Sequence, residues 1–80
     1  MTQNDKIKFI KTFDGDYIAI NKIHGISQIY REDSAHYPFR FAVYYNAGEK
    51  EGQRVWKYHA LQDAALAHGK LLLLFDIIEI

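Results

Sequence analysis

The spacing of apolar residues changes once along this 80-residue chain, and that change limits the folds open to it. Up to residue 59, apolar residues recur mainly at every second position, which is typical of half-buried β-strands. From Leu61 onward they recur at spacings of three and four, which is typical of an amphipathic helix. The pattern predicts an α+β fold: an antiparallel meander of about five strands with one C-terminal helix packed on or closing the sheet.

Turn signals divide the first part of the chain into strands. Asp14-Gly15-Asp16 lies between two alternating runs, and Asp-Gly is a strong hairpin signal because glycine accepts a positive φ. Residues 32–38 contain Pro38, the only proline, and are predicted to form a surface loop. Residues 47–52, with two glycines, are predicted to form a hairpin loop. The predicted strands are residues 6–13, 17–20, 23–31, 39–46 and 53–59.

Alternation also predicts which strand residues face the core. In the fourth strand, Phe41 and Val43 lie on one side together with Phe39 and Tyr45. In the fifth strand we expect Trp56 to face the core, together with Tyr58.

Residues 70–80 admit two interpretations. Gly69 either lies inside a long helix, at a cost of about 1 kcal/mol relative to alanine, or ends a short helix after His68. In the second case the apolar residues that follow, among them the β-branched Ile77, form a C-terminal strand. We favour the longer helix because the four leucines at 71–74 are strong helix formers.

The predicted helix is apolar on more than one side. One stripe can cover the sheet, whereas Leu66, Leu73 and Ile77 lie away from it and need another partner. An 80-residue chain has little sequence left to cover them and has no cysteine for a stabilising disulfide. We therefore expect self-association, as a homodimer, or binding to another protein. The stripe expected to cover the sheet consists of Leu61, Ala64, Ala65, His68, Leu72 and Phe75.

The open face of the predicted sheet is a second candidate surface. Antiparallel pairing of the fourth and fifth strands places Arg40, Tyr44, Lys57 and His59 on the same outer face. Rings on such a face can stack on bases, and basic side chains can neutralise phosphates. However, ten basic and ten acidic residues give a formal net charge of +0, unlike a typical nucleic-acid binder. Binding of nucleic acid or a small ligand is therefore the alternative to protein interaction.

Residues that carry enzymatic chemistry do not occur in recognisable spacings. The two closest histidines, His59 and His68, are nine positions apart, and there is no cysteine, so no zinc-binding motif is present. No serine has the Gly-x-Ser-x-Gly environment, and the five glycines match no phosphate-binding loop. We therefore predict a non-enzymatic protein without a metal site or cofactor.

The chain is predicted to be a single small domain over residues 1–80, with the polar residues 1–5 disordered. Its N-terminus has no apolar run of the kind found in a secretory signal. The apolar stretch that begins at Leu71 is interrupted by Asp76 and Glu79 and is too short to span a bilayer. We expect a cytoplasmic protein that does not bind membranes.

One segment resembles other proteins in its pattern. The run from Phe13 to Ile26 reads Phe-Asp-Gly-Asp-Tyr-Ile-Ala-Ile-Asn-Lys-Ile-x-x-Ile, and an aromatic strand, a glycine-containing hairpin and a helix follow it. This arrangement resembles short uncharacterised bacterial or phage-borne proteins and covers most of the chain. A family of small flagellar regulators opens similarly, but the loop at 32–38 and the leucine-rich end depart from it. The resemblance implies a β-meander followed by a C-terminal helix and a bacterial origin, and it brings no functional residues.

Overall fold

Antiparallel strands precede a single α-helix in the computed structural model, which describes residues 7–77. This arrangement confirms the predicted α+β class, with six strands in the described residues. The segment predicted to be disordered, residues 1–5, lies outside the described residues. In chain order the elements are β1 (Phe9–Lys11), β2 (Tyr17–Ala19), β3 (Ile23–Ile26), β4 (Tyr30–Arg31), β5 (Phe39–Ala47), β6 (Lys50–Tyr58) and α1 (Leu61–Leu72).

β5 is the central strand of the larger sheet. One of its edges pairs with β6 from Phe39–Tyr58 to Ala47–Lys50. Its other edge is shared by two short strands, β3 and β4. β1 and β2 form a separate two-stranded hairpin. The first three strands therefore do not form one continuous meander, because a 3-10 turn at Ile20–Lys22 redirects the chain and β3 pairs with β5 instead of β2.

One predicted strand and one predicted loop differ from the structure. The strand predicted at 23–31 is divided into β3 and β4 because residues 27–29 leave the ladder, although Ser27 still bonds to Ala42 through its backbone N–H and its hydroxyl. The loop predicted at 47–52 is reduced to Gly48 and Glu49, since both strands extend toward the turn. Gly48 has a φ of +69°, which suits glycine in a tight hairpin turn.

The turn between β1 and β2 is held by Thr12, whose side chain is buried. Its hydroxyl donates a hydrogen bond to the Asp14 carboxylate and accepts one from the Asp16 N–H, at 2.9 Å. Gly15 has a φ of +97°, as the Asp-Gly signal predicts. The hydrogen bond from Thr12 lowers the pKa of Asp14, and a backbone hydrogen bond at Asp14 adds to the effect.

The core lies on one face of the larger sheet, under the β1–β2 hairpin and α1. Phe41, Val43 and Trp56 occupy this face, as the alternation predicts. The rings of Phe41 and Trp56 are parallel, with centroids 5.6 Å apart. The hairpin contributes Ile18 and the helix contributes Leu71, so the three elements share one apolar cluster.

The helix continues through Gly69 and ends at Leu72. The favoured interpretation is therefore confirmed through Leu72 and is wrong for residues 73–77, which lie beyond the end of the helix. The N–H groups of Leu74 and Phe75 bond to carbonyls three residues back, which tightens the final turn before the chain leaves the helix. The alternative strand is wrong for residues 70–77, and the rest of that segment lies outside the described residues.

Candidate functional site

The orientation of α1 decides which apolar residues are left for a partner. Ala64 and Leu71 are buried against the sheet, and the His68 ring contacts Phe41 edge-on at 5.0 Å. The Nε2 atom of His68 also lies 2.8 Å from the carbonyl oxygen of Ser27. These contacts join the middle of the helix to the central strand and to the end of β3.

The stripe predicted to cover the sheet is therefore only partly correct. Ala64 and His68 do face the sheet, but Leu61 and Ala65 are exposed. Leu71, which the predicted stripe did not include, is buried in the core cluster and completes the contact. A helical wheel gives relative positions and does not fix this rotation.

Leu66 and Leu73 lie on the side of α1 that points away from the sheet. Leu66 is 60% exposed and Leu73 is 85% exposed, at the end of the helix. Together with Gln62 and Gly69, which share this side through spacings of four, three and four, they form what we call the outer helix face. A Cβ at Gly69 would meet nothing within 4 Å, so the backbone between the two leucines is open to close approach.

Ile77, the third residue predicted to mediate self-association, is not part of the outer helix face. It follows the end of α1 by five residues and is 56% exposed. With Phe75 it lines a shallow cavity beside Ile23 and Ile26 of β3. The early end of the helix explains the difference, since the wheel assumed helical geometry through this position.

Charged and apolar residues flank the outer helix face on different sides. Asp63 and Lys70 lie seven positions apart along one flank, whereas Ala65 and Leu72 lie along the other. Asp63 is in the first turn and Lys70 in the last, where each charge also complements the helix dipole. Burial raises the pKa of Tyr58, and the charge of Asp63 adds to that effect.

The four residues predicted to form a ligand face do not converge at one point. Arg40 lies directly opposite Lys57, but Tyr44 lies opposite Gln53. Arg40 and Tyr44 are four positions apart along the strand, a distance of about 13 Å. Instead, Tyr30 is the register partner of Arg40 on the other edge of β5, a position that the sequence pattern missed.

His59 belongs to an aromatic cluster at the end of β6. Its ring centroid is 4.2 Å from that of Tyr37 and 4.9 Å from that of His36. Phe13, from the β1–β2 turn, meets Tyr37 edge-on at 5.7 Å. The cluster joins three distant parts of the chain. Its only signal in the sequence was the presence of aromatic residues in the otherwise polar loop at 32–38.

Arg54 makes a second set of contacts that the sequence patterns did not predict. It lies on the core side of β6, where its Nη2 atom is 3.3 Å from Oδ2 of Asp16. Its guanidinium carbon is 6.0 Å from the centroid of the Tyr45 ring. Arg54 thereby connects the β1–β2 turn to the larger sheet.

Several functional classes receive no direct support from the described residues. Between residues 7 and 77, no group of three or more His, Cys, Asp or Glu side chains is placed to hold a metal ion. Over the same range, no helix has the length and apolar character that crossing a membrane requires.

Comparisons with known protein families, curated proteins and solved structures find no match to this chain.

Proposed function

We propose that this protein is a small non-enzymatic interaction module that associates with a second copy of itself through the outer helix face. The observation that carries this proposal is the exposure of Leu66 and Leu73 on the side of α1 opposite its contact with the sheet. Leucines spaced seven residues apart on an exposed helix face are suited to packing against another helix.

Gly69 and the flanking charges favour a specific orientation. Because Gly69 has no side chain, a leucine of the second copy can approach the backbone between Leu66 and Leu73. In an antiparallel pair centred between residues 67 and 68, Leu66 faces Gly69 of the second copy. The same arrangement brings Asp63 near Lys70 of the second copy, twice by symmetry, whereas a parallel pair sets these charges against an uncharged flank.

The strength of this association follows from the small number of leucines. Full burial of a leucine contributes about 1.5–3 kcal/mol, so two from each copy contribute about 6–12 kcal/mol. Association costs about 4–15 kcal/mol in lost translational and rotational freedom. The most favourable balance of these ranges is about 8 kcal/mol, so we expect a reversible dimer with a dissociation constant no tighter than micromolar rather than an obligate one.

Sedimentation equilibrium on matched leucine variants tests this proposal. Leu66→Gln and Leu73→Gln should be monomeric with unchanged circular dichroism, because both side chains are exposed in the monomer. Leu61→Gln is the control, since Leu61 is 53% exposed on the same helix but lies outside the outer helix face. Dimerisation that is equally strong in all three variants would refute the proposed surface.

Charge reversal tests the antiparallel orientation separately. Asp63→Lys should weaken the dimer because it places like charges together, and Asp63→Lys with Lys70→Asp should restore it. Failure of the double variant to recover affinity, while the leucine variants behave as expected, would reject the orientation and keep the surface.

The alternative function, binding of nucleic acid or a small ligand, has one supporting observation. Arg40 and Lys57 are cross-strand neighbours, with Tyr30 beside Arg40. Binding of a single-stranded oligonucleotide should then weaken with salt and be lost in Arg40→Ala with Lys57→Ala, but persist in Lys50→Ala. Absence of any oligonucleotide binding by the wild-type protein at low salt would reject nucleic acid as the ligand.

A further inference from the structure

A groove separates the β1–β2 hairpin from α1 on the core side of the larger sheet. Its volume is about 310 Å³. Ile10 lines the hairpin wall, Ala67 and Leu71 line the helix wall, and the stacked rings of Phe41 and Trp56 form the floor. The apolar wall of the groove is the side of α1 opposite the outer helix face, and Lys70 is the one residue that borders both surfaces.

Charge is distributed unevenly around this groove. Lys11 lies on the hairpin wall and Lys70 on the helix wall, and every other lining residue is apolar. No acidic side chain lines the groove among the described residues. Within residues 7–77, neither lysine forms an ion pair. A lysine stem can lie along an apolar wall while its ammonium group stays at the rim.

The lining restricts the chemistry of an occupant. Apolar walls with a few placed polar groups are typical of small-molecule sites, and the volume is at the small end of their range. A sugar or an amide-rich ligand would bury polar groups without partners in this groove, at a cost for each group. A hydrocarbon chain can pack against the apolar walls, and one anionic group can accept hydrogen bonds from both lysines.

We propose that this groove binds a free straight-chain fatty acid of medium length. Its hydrocarbon tail lies over Phe41 and Trp56, between the hairpin and the helix. Its carboxylate lies at the rim, where it accepts hydrogen bonds from the ammonium groups of Lys11 and Lys70. The site therefore selects for an apolar tail and for negative charge at the same time.

The single tryptophan of the chain provides a direct assay, because Trp56 is part of the groove floor. Decanoate, titrated below the concentration at which it forms micelles, should change the Trp56 fluorescence with saturation and raise Tm. Decylammonium has the same tail and the opposite charge, and it should bind at least tenfold more weakly. Equal binding of the two ions, or a decanoate response that never saturates, would overturn the proposal.

Variants locate the site. Lys11→Gln and Lys70→Gln should each weaken decanoate binding several-fold, whereas Lys50→Gln, at the hairpin turn of the larger sheet, should leave it unchanged. Lys11 lies outside the outer helix face, so its variant separates this site from self-association. Shifts of the Ile10 and Ala67 methyl signals in NMR spectra should accompany binding, and shifts confined to other residues would contradict the assignment.

Discussion

Gly52 is the position where a single methyl group should change stability most informatively. It lies opposite Tyr45, and a Cβ built on Gly52 would be 2.6 Å from Cε2 of the Tyr45 ring and closer still to Cζ. The ring covers the glycine and packs against the core cluster. Gly52→Ala therefore forces the ring away from its position.

The expected decrease in the free energy of unfolding can be estimated from the packing of the Tyr45 ring. A tyrosine buries about 150–250 Å², and displacement of a half-buried ring removes about half of this, or about 2–3 kcal/mol. Alanine in a strand is more favourable than glycine by about 0.5–1 kcal/mol. The net destabilisation is about 1–2.5 kcal/mol, and each kcal/mol lowers Tm by about 4–8 °C in a domain of this size.

A double-mutant cycle tests this reasoning by urea denaturation. In a Tyr45→Ala background the added methyl group has room, so Gly52→Ala should there stabilise the protein by about 0.5–1 kcal/mol. The sign of the effect thus reverses between the two backgrounds. Two results would show that the Tyr45 ring does not restrict this position. Gly52→Ala could change the free energy of unfolding equally in both backgrounds, or it could leave the stability of the wild-type background unchanged.

Other positions give simpler predictions. Gly69→Ala should stabilise the monomer by about 1 kcal/mol in thermal unfolding at low protein concentration, because Gly69 is inside the helix with open space around it. Gly15→Ala should destabilise it by at least about 1–2 kcal/mol, since the φ of Gly15 is +97°. The pKa of Asp14 is lowered in the folded state, so its ionised carboxylate stabilises the fold at pH values above the unfolded pKa of about 3.9. This stabilisation is lost as pH falls through the folded pKa. The difference in urea midpoint between wild type and Asp14→Asn should therefore disappear at low pH.

Local patterns were sufficient to predict most elements of the fold. Alternation identified Phe41, Val43 and Trp56 as core residues because every second side chain of a strand faces the same side. The Asp-Gly signal predicted the turn at Gly15 for a similarly local reason. The leucines after Gly69 outweighed the cost of one glycine, so the helix passed through it.

Long-range contacts account for what the patterns missed. The observed rotation of α1 places His68 against Phe41 and Ser27, which lie 27 and 41 residues earlier in the chain. The separation of Tyr44 from Lys57 depends on register, which the two-residue turn at Gly48 sets. Periodicity carries no information on either quantity. It also did not predict the end of α1 at Leu72, which removes Ile77 from the outer helix face.

The solution mass of the wild-type protein tests self-association most directly. Light scattering during size-exclusion chromatography should be run from low to high micromolar concentration, at low and high salt. The association of the outer helix faces predicts a mass that rises with concentration from 9.4 kDa toward twice that value and persists at high salt. A mass of one chain at every concentration would contradict it.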